Sequence, residues 1–341
     1  MIESAMQTLA GQVDPARLRR DVDALAACPR SRVRTPKAMA EAERHVTGEL
    51  TAAGWQVERE PFDLRWQPGT TDRQGHRLLP LKLRLHRRLT GANLIARLPG
   101  HPQRPTVLIG AHLDSVDASP GADDNASGVA VLLEAARLLG ALEEPPPVTL
   151  MCFDMEELGL IGSRYAARQF TARQEQVAGM ICLESVGYFA PEPGGQRLPA
   201  GFGLAFPSAA REVRANRFRG DFTLVVHRRS TQDAATLWQR AAACAGPALP
   251  ALPSIALRDR RPEGPLGLLI GLAVPPANHL GRSDHASFWN RRIPALMLTG
   301  TANFRNQHYH RPTDTPDLLD YDRLAAVTAA TAATALHWPC G

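Results

Sequence analysis

Lysine is nearly missing from this chain. Of its 39 lysine and arginine residues only Lys37 and Lys82 are lysines, so the net charge of +5 rests on arginine. Acidic residues are interspersed with these arginines and no stripe of one sign forms, which argues against a nucleic-acid partner. Paired cysteines are missing too. Cys28, Cys152, Cys182, Cys244 and Cys340 are odd in number and have no short paired spacing, so neither a disulfide framework nor a CxxC metal site is indicated. Cys152 and Cys182 fall inside apolar runs, where a thiol packs as a small core residue. No apolar run approaches the ~20 residues of a membrane span, and residues 1–21 lack the apolar stretch of a secretion signal. The expectation is a cytoplasmic protein in a reducing compartment, with no membrane partner.

The 341 residues, 44% of them hydrophobic, suffice for a large core. Asp14 before Pro15 predicts a helix start, since aspartate caps the first turn and proline needs no donor there. A second helix is expected over 36–53, and long alanine- and leucine-rich helices over 127–142 and 320–336. Short buried strands are expected at 93–98, 106–111, 148–153, 180–183 and 294–298. Strands alternating with helices predict an α/β fold, a three-layer α/β/α sandwich around a mostly parallel mixed sheet. One domain over 1–341 is expected, with a basic loop or hairpin near 66–90 and a polar, proline-rich insertion near 190–282. In such sheets a site forms beyond the carboxyl ends of the strands.

Five segments place histidines and carboxylates at those ends. In VLIGAHLDSV, Asp114 lies two residues beyond His112 and points to the same side of an extended strand. It can fix the ring's second N–H, as a metal-bound histidine requires, although HxD alone also describes a solvated aspartate. In PGADDNASGV, adjacent acids precede a helix, where ordinary capping is the commoner reason for them. In CFDMEELGLIGS, Glu156 and Glu157 follow a strand; adjacent carboxylates point apart, so one job for both is excluded, and a charged first helical turn is the plain alternative. Glu184 closes the strand-like GMICLE, where a buried glutamate without a partner is costly. The fifth, NQHYHRPTDTPD, offers His308 and His310. Histidine nitrogen and carboxylate oxygen in this number suit zinc, which binds both at similar distances.

The order and dress of these motifs, from about Asn93 to Asp320, resemble peptidase family M28, the aminopeptidase-like di-zinc enzymes. The resemblance implies the zinc-peptidase (phosphorylase/hydrolase-like) fold and two Zn2+ ions, either position being open to another divalent metal. It makes His112, Asp124, Glu157, Glu184 and His310 the ligands, with Asp124 shared. Asp123 takes that place only if the alignment shifts by one residue. Glu184 stands where the family commonly has aspartate. Glu156 would be the general base, with Asp114 also assigned to the catalytic set. Asp284, His285 and Asp314 would support the site or touch substrate. A cis peptide bond is implied between Asp124 and Asn125. The implied activity is metal-dependent hydrolysis of peptide or aminoacyl-amide bonds, most simply the removal of N-terminal residues. A glutaminyl-cyclase-like transferase, a carboxypeptidase or dipeptidase, and a non-catalytic binding protein are the other readings. Arginines at 211–229 and 258–261 are the candidate carboxylate holders for a carboxypeptidase.

Overall fold

Val107, Ile109 and Ala111 pack into one hydrophobic core and Leu108 into another, because alternate residues of a strand face opposite ways. That strand lies inside a sheet of eight, seen in a computed structural model describing residues 2–72, 84–100, 104–244, 249–273 and 279–339. The strands are β1 (Gln56–Gly69), β2 (Arg84–Arg97), β3 (Thr106–His112), β4 (Val148–Phe153), β5 (Val177–Glu184), β6 (Thr223–His227), β7 (Ser254–Arg258) and β8 (Ala295–Thr299). Their order is β1-β2-β4-β3-β5-β8-β6-β7. The run β4-β3-β5-β8 is parallel, as is β6-β7, whereas β1-β2, β2-β4 and β8-β6 are antiparallel. Every residue of β3 and β4 is buried, the mark of parallel strands covered on both faces.

Helices make the outer layers. Gly128–Gly140, Gln232–Ala242 and Tyr321–Leu336 cover one face together with the N-terminal helices. Ile161–Ala172, Pro207–Ala215 and His285–Trp289 cover the other. Two helix starts follow directly from sequence chemistry. Asp14 accepts from the Ala16 N–H at 2.8 Å ahead of Pro15, and Asp320 accepts from the Arg323 N–H at 3.0 Å.

Two sequence readings gain detail. The basic stretch near 66–90 belongs, in its described residues, to the outer part of the β1–β2 hairpin; residues 73–83 lie outside the described residues. The stretch 190–282 is more than a polar loop. It supplies β6 and β7, which carry the sheet beyond β8. These strands have five residues each and sit among polar, proline-rich sequence, too short for alternation to stand out. Among the described residues no helix is long and apolar enough to cross a membrane.

Candidate metal centre

The parallel strands β3, β4 and β5 end side by side, and each delivers a side chain to the crevice beyond. His112 is the last residue of β3, Glu184 the last of β5, and Glu156 and Glu157 lie three and four residues beyond Phe153, the last of β4. Asp124 reaches the same place from the turn before the helix Gly128–Gly140. Its dihedrals (φ −111°, ψ 86°) are non-helical, and the Asp124–Asn125 peptide bond is cis. Gly121 opens this turn with φ 63°, and a Cβ there would lie 2.3 Å from the Asp124 carbonyl oxygen, so only glycine fits.

Neighbouring side chains in this turn have separate jobs. Asp123 turns inward: its Oδ1 accepts from the N–H groups of Gly187 (2.9 Å) and Tyr188 (3.0 Å), and its Oδ2 from Asn306 Nδ2 (3.0 Å). Asn125 donates to the Leu183 carbonyl at 2.8 Å and accepts from the Ser185 N–H at 3.2 Å. Asp124 alone faces both imidazoles. Its Oδ1 is 3.2 Å from His112 Nε2 and its Oδ2 is 3.0 Å from His310 Nε2. His308, the rival to His310, turns its Nδ1 to Thr313 Oγ1 at 2.9 Å.

Two triads result, His112–Asp124–Glu184 and Asp124–Glu157–His310, each with its ligand atoms within 4.8 Å of one another. Glu184 Oε2 is 3.5 Å from His112 Nε2, and Glu157 Oε1 is 3.1 Å from His310 Nε2. Two donors on one tetrahedral zinc, each at ~2.0–2.1 Å, stand ~3.3 Å apart, so the spacing fits. A second observation agrees. His112 Nε2, Asp124 Oδ2, Glu157 Oε1 and His310 Nε2 are buried without a hydrogen-bond partner. Orphaned polar atoms cost about 1–3 kcal/mol each, and a cation in each triad would remove that cost for all four. The donor set of two imidazoles and three carboxylates fits a divalent metal.

The field here is strongly negative. Burial alone would lower the His310 pKa, yet Glu157 and Asp124 raise it to about 10. Burial also opposes charge on His112, and Asp114 and Asp124 again outweigh it. Burial, with Asp124 adding repulsion, raises the Glu157 carboxyl above its ordinary range. Glu156 rises well above its ordinary value, through burial first and then through the charges of Glu157, Glu184 and Asp284. Among the described residues no group hydrogen-bonds the Glu156 carboxylate.

Asp114 behaves differently from the sequence expectation. His112 Nδ1–H donates to the main-chain carbonyl of Asp114 at 3.0 Å, while the Asp114 carboxylate oxygen lies 3.5 Å away. That carboxylate instead accepts from the backbone N–H groups of Glu156 (3.0 Å) and Glu157 (3.1 Å). The carbonyl is left to the ring because both carboxylate oxygens are taken up by the backbone at Glu156 and Glu157. Asp314 performs the matching task, accepting from the N–H groups of Asp123 (3.1 Å) and Asp124 (3.2 Å). Each pair of acidic residues is thus pinned through its backbone by a buried aspartate. Ser283 donates to Glu184 Oε2 at 2.7 Å. Asp284 is fully buried and burial raises its carboxyl to about 7. His285 does not reach the crevice: its Nε2 meets the Leu280 carbonyl at 2.8 Å and its ring stands edge-on to Trp289, so it packs the fold.

Arg30 had no signal in the sequence. Its buried guanidinium donates to the carbonyls of Leu25 (2.7 Å), Leu113 (2.8 Å), Pro120 (2.6 Å) and Gly121 (3.0 Å), tying down the chain between His112 and Asp124. Two of the arginines considered as carboxylate holders are otherwise engaged: Arg228 and Arg261 both pair with Asp259 at 3.0 Å.

Comparison with known proteins agrees with this architecture. The profile of peptidase family M28 matches residues 93–205 and 271–335. The uncharacterized protein YfbL of Escherichia coli is 36% identical over 239 residues, 67% of this chain and 65% of its own length. Leucine aminopeptidase 1 of Ajellomyces capsulatus is 36% identical over 109 residues, 28% of either chain. The chain therefore spans less than two thirds of these relatives. Among solved structures, the Legionella pneumophila LapA aminopeptidase superposes with a TM-score of 0.66 at 17% identity, covering 98% of this chain and 74% of that one. The Porphyromonas gingivalis glutaminyl cyclase gives 0.61 at 18% identity, covering 95% and 98%. At such identities the likeness concerns the fold.

Proposed function

The chain belongs to peptidase family M28, and on that premise we propose that it is a zinc-dependent exopeptidase removing N-terminal residues from peptides. The observation that carries this reading is the pair of buried triads sharing Asp124, with four of their ligand atoms buried and without a hydrogen-bond partner. His112, Asp124 and Glu184 would hold one ion, and Asp124, Glu157 and His310 the other. Bound there, such ions lower the pKa of water toward ~7 and polarise the scissile carbonyl.

The chain's own residues supply the rest. Glu156 takes the proton from the attacking water and passes it to the leaving amine. Burial raises its pKa above the ordinary carboxylate value, the direction that makes a carboxylate a stronger base. Asp114 and Asp314 hold the turns that aim Glu156, Glu157 and Asp124. Ser283 steadies Glu184, whose extra methylene relative to aspartate needs a fixed direction. Keeping both triads and Glu156 favours hydrolysis over a cyclase or a non-catalytic binder. The engagement of Arg228 and Arg261 by Asp259 disfavours a carboxypeptidase.

A panel of aminoacyl anilides, N-blocked peptides and N-terminal glutaminyl peptides, assayed with zinc, tests the reading. Cleavage of free-amine substrates, lost on chelation and restored by zinc, is expected. Conversion of glutaminyl peptides to cyclised products without cleavage of the anilides would replace it with the cyclase reading.

A further inference from the structure

Glu184, one of the candidate ligands, lines a cavity of about 250 Å3, and the sheet itself forms its floor. Glu184 pairs across the sheet with Thr299, Thr299 with Leu224, and Leu224 with Ile255. All four line the cavity, so one register row runs from a candidate ligand across β5, β8, β6 and β7. A parallel row, Met297–Val226–Leu257, lies beside it. Three interstrand spacings of ~4.8 Å make the floor ~14 Å long. Phe202, Phe206, Ala209 and Val213 close it from the opposite side.

The chemistry changes along this length. Gln196, Ser283, Thr299 and Thr301 cluster at the Glu184 end, joined by hydrogen bonds such as Ser283 to Glu184 (2.7 Å) and Gln196 to Thr301 (3.0 Å). The Leu224–Ile255 end is walled by aliphatic and phenyl groups. A ~14 Å floor matches about four residues of extended peptide. Peptide N–H and C=O groups would find no partners on those walls, at a cost of ~1–3 kcal/mol each. A hydrocarbon chain has no such groups. By volume, an apolar cavity of ~150 Å3 holds the six carbons of benzene, so 250 Å3 holds roughly ten carbons. Floor length and volume agree. Much of the far wall, including Val213, Leu224, Val226 and Ile255, lies between residues 206 and 270, outside the part that matches the family profile.

We propose that this cavity is a straight-chain acyl site, and that the centre, besides removing N-terminal residues, also hydrolyses amides whose acyl group is a fatty chain of about ten carbons. The reacting bond rests on the hydrolytic reading above; the chain-binding site does not. Water adds to the acyl carbon, the C–N bond breaks, and Glu156 carries the water's proton to the departing nitrogen. The products are a fatty acid and a free amine, as in deacylation of an N-acyl amino acid.

Binding of straight-chain fatty acids from butanoate to tetradecanoate, measured by calorimetry on the zinc-loaded protein, tests the site without turnover. Each methylene is worth ~0.8 kcal/mol, so Kd should fall about fourfold per carbon and level off near ten. Ile255→Trp, which plugs the far end, should move that levelling to shorter chains and leave hexanoate within about twofold. N-decanoyl amino acids should then exceed N-acetyl ones in kcat/KM by at least ~100-fold. Loss of all amide hydrolysis with the chain-length series intact would sink the hydrolytic reading and the deacylation while keeping the acyl site. An affinity flat from butanoate to decanoate, or indole-propionate binding more tightly than decanoate, would overturn the acyl site itself.

Discussion

In the proposed reaction Asp124 and Glu156 divide the chemistry between them. Asp124 faces two imidazoles, with one oxygen 3.2 Å from His112 and the other 3.0 Å from His310. Glu156, one residue from the candidate ligand Glu157, has its carboxylate free to move a proton. Glu156→Gln keeps size and polarity and removes only the basic oxygen. It should retain metal and fold while losing ~10²–10⁴-fold in turnover, the scale of general acid–base work. Steady-state kinetics beside metal analysis checks this, and an active variant would pass the proton role to another group. At this scale much was legible in the sequence. His112, Asp124, Glu157, Glu184 and His310 are brought together, and each sits beside a strand end or turn marked by its own motif. The partner of His112 was not legible, since a main-chain carbonyl leaves no trace in residue type. Arg30 was hidden for the same reason: its acceptors are carbonyls of residues up to 91 positions away.

Two turns position the site, and each is pinned by a buried aspartate from another element. Asp314 holds the backbone N–H groups of Asp123 and Asp124, as Asp114 holds those of Glu156 and Glu157. Asp314→Ala leaves two buried donors without acceptors. At about 1–3 kcal/mol for each, it should cost roughly 2–6 kcal/mol of stability in denaturant unfolding. Loss of such support should also weaken metal binding ~10–100-fold, measured by competition with a chelator. Unchanged metal affinity would reduce Asp314 to a packing role. The elements themselves were only partly foreseen. β4 and the helices at 15, 36, 128 and 321 carry strong caps or long apolar runs, so their limits lie within a residue or two of those expected. β6 and β7 are five-residue strands whose pairing with β8 depends on tertiary contact rather than on local pattern.

Across the whole molecule, the centre joins parts of the chain that lie far apart in sequence. Its ligand candidates run from residue 112 to residue 310, so two cations sharing Asp124 would tie together the ends of β3 and β5, the turns at 121–127 and after β4, and the segment after β8. A ligand that binds only the folded state stabilises it by about 2.7 kcal/mol at a hundred times its Kd. Zinc should therefore raise the thermal midpoint of the metal-free protein by several degrees, and the rise should shrink in His310→Ala. Equal rises in both would place the stabilising metal elsewhere.

The central claim is that one carboxylate, Asp124, serves two ions at once. Calorimetric zinc titration of the metal-free protein, set beside the same titration of Asp124→Asn, tests it most directly. Two equivalents are expected for the unaltered chain, with both sites weakened together in the variant. A single equivalent, or two sites of unchanged affinity in Asp124→Asn, would contradict the shared centre.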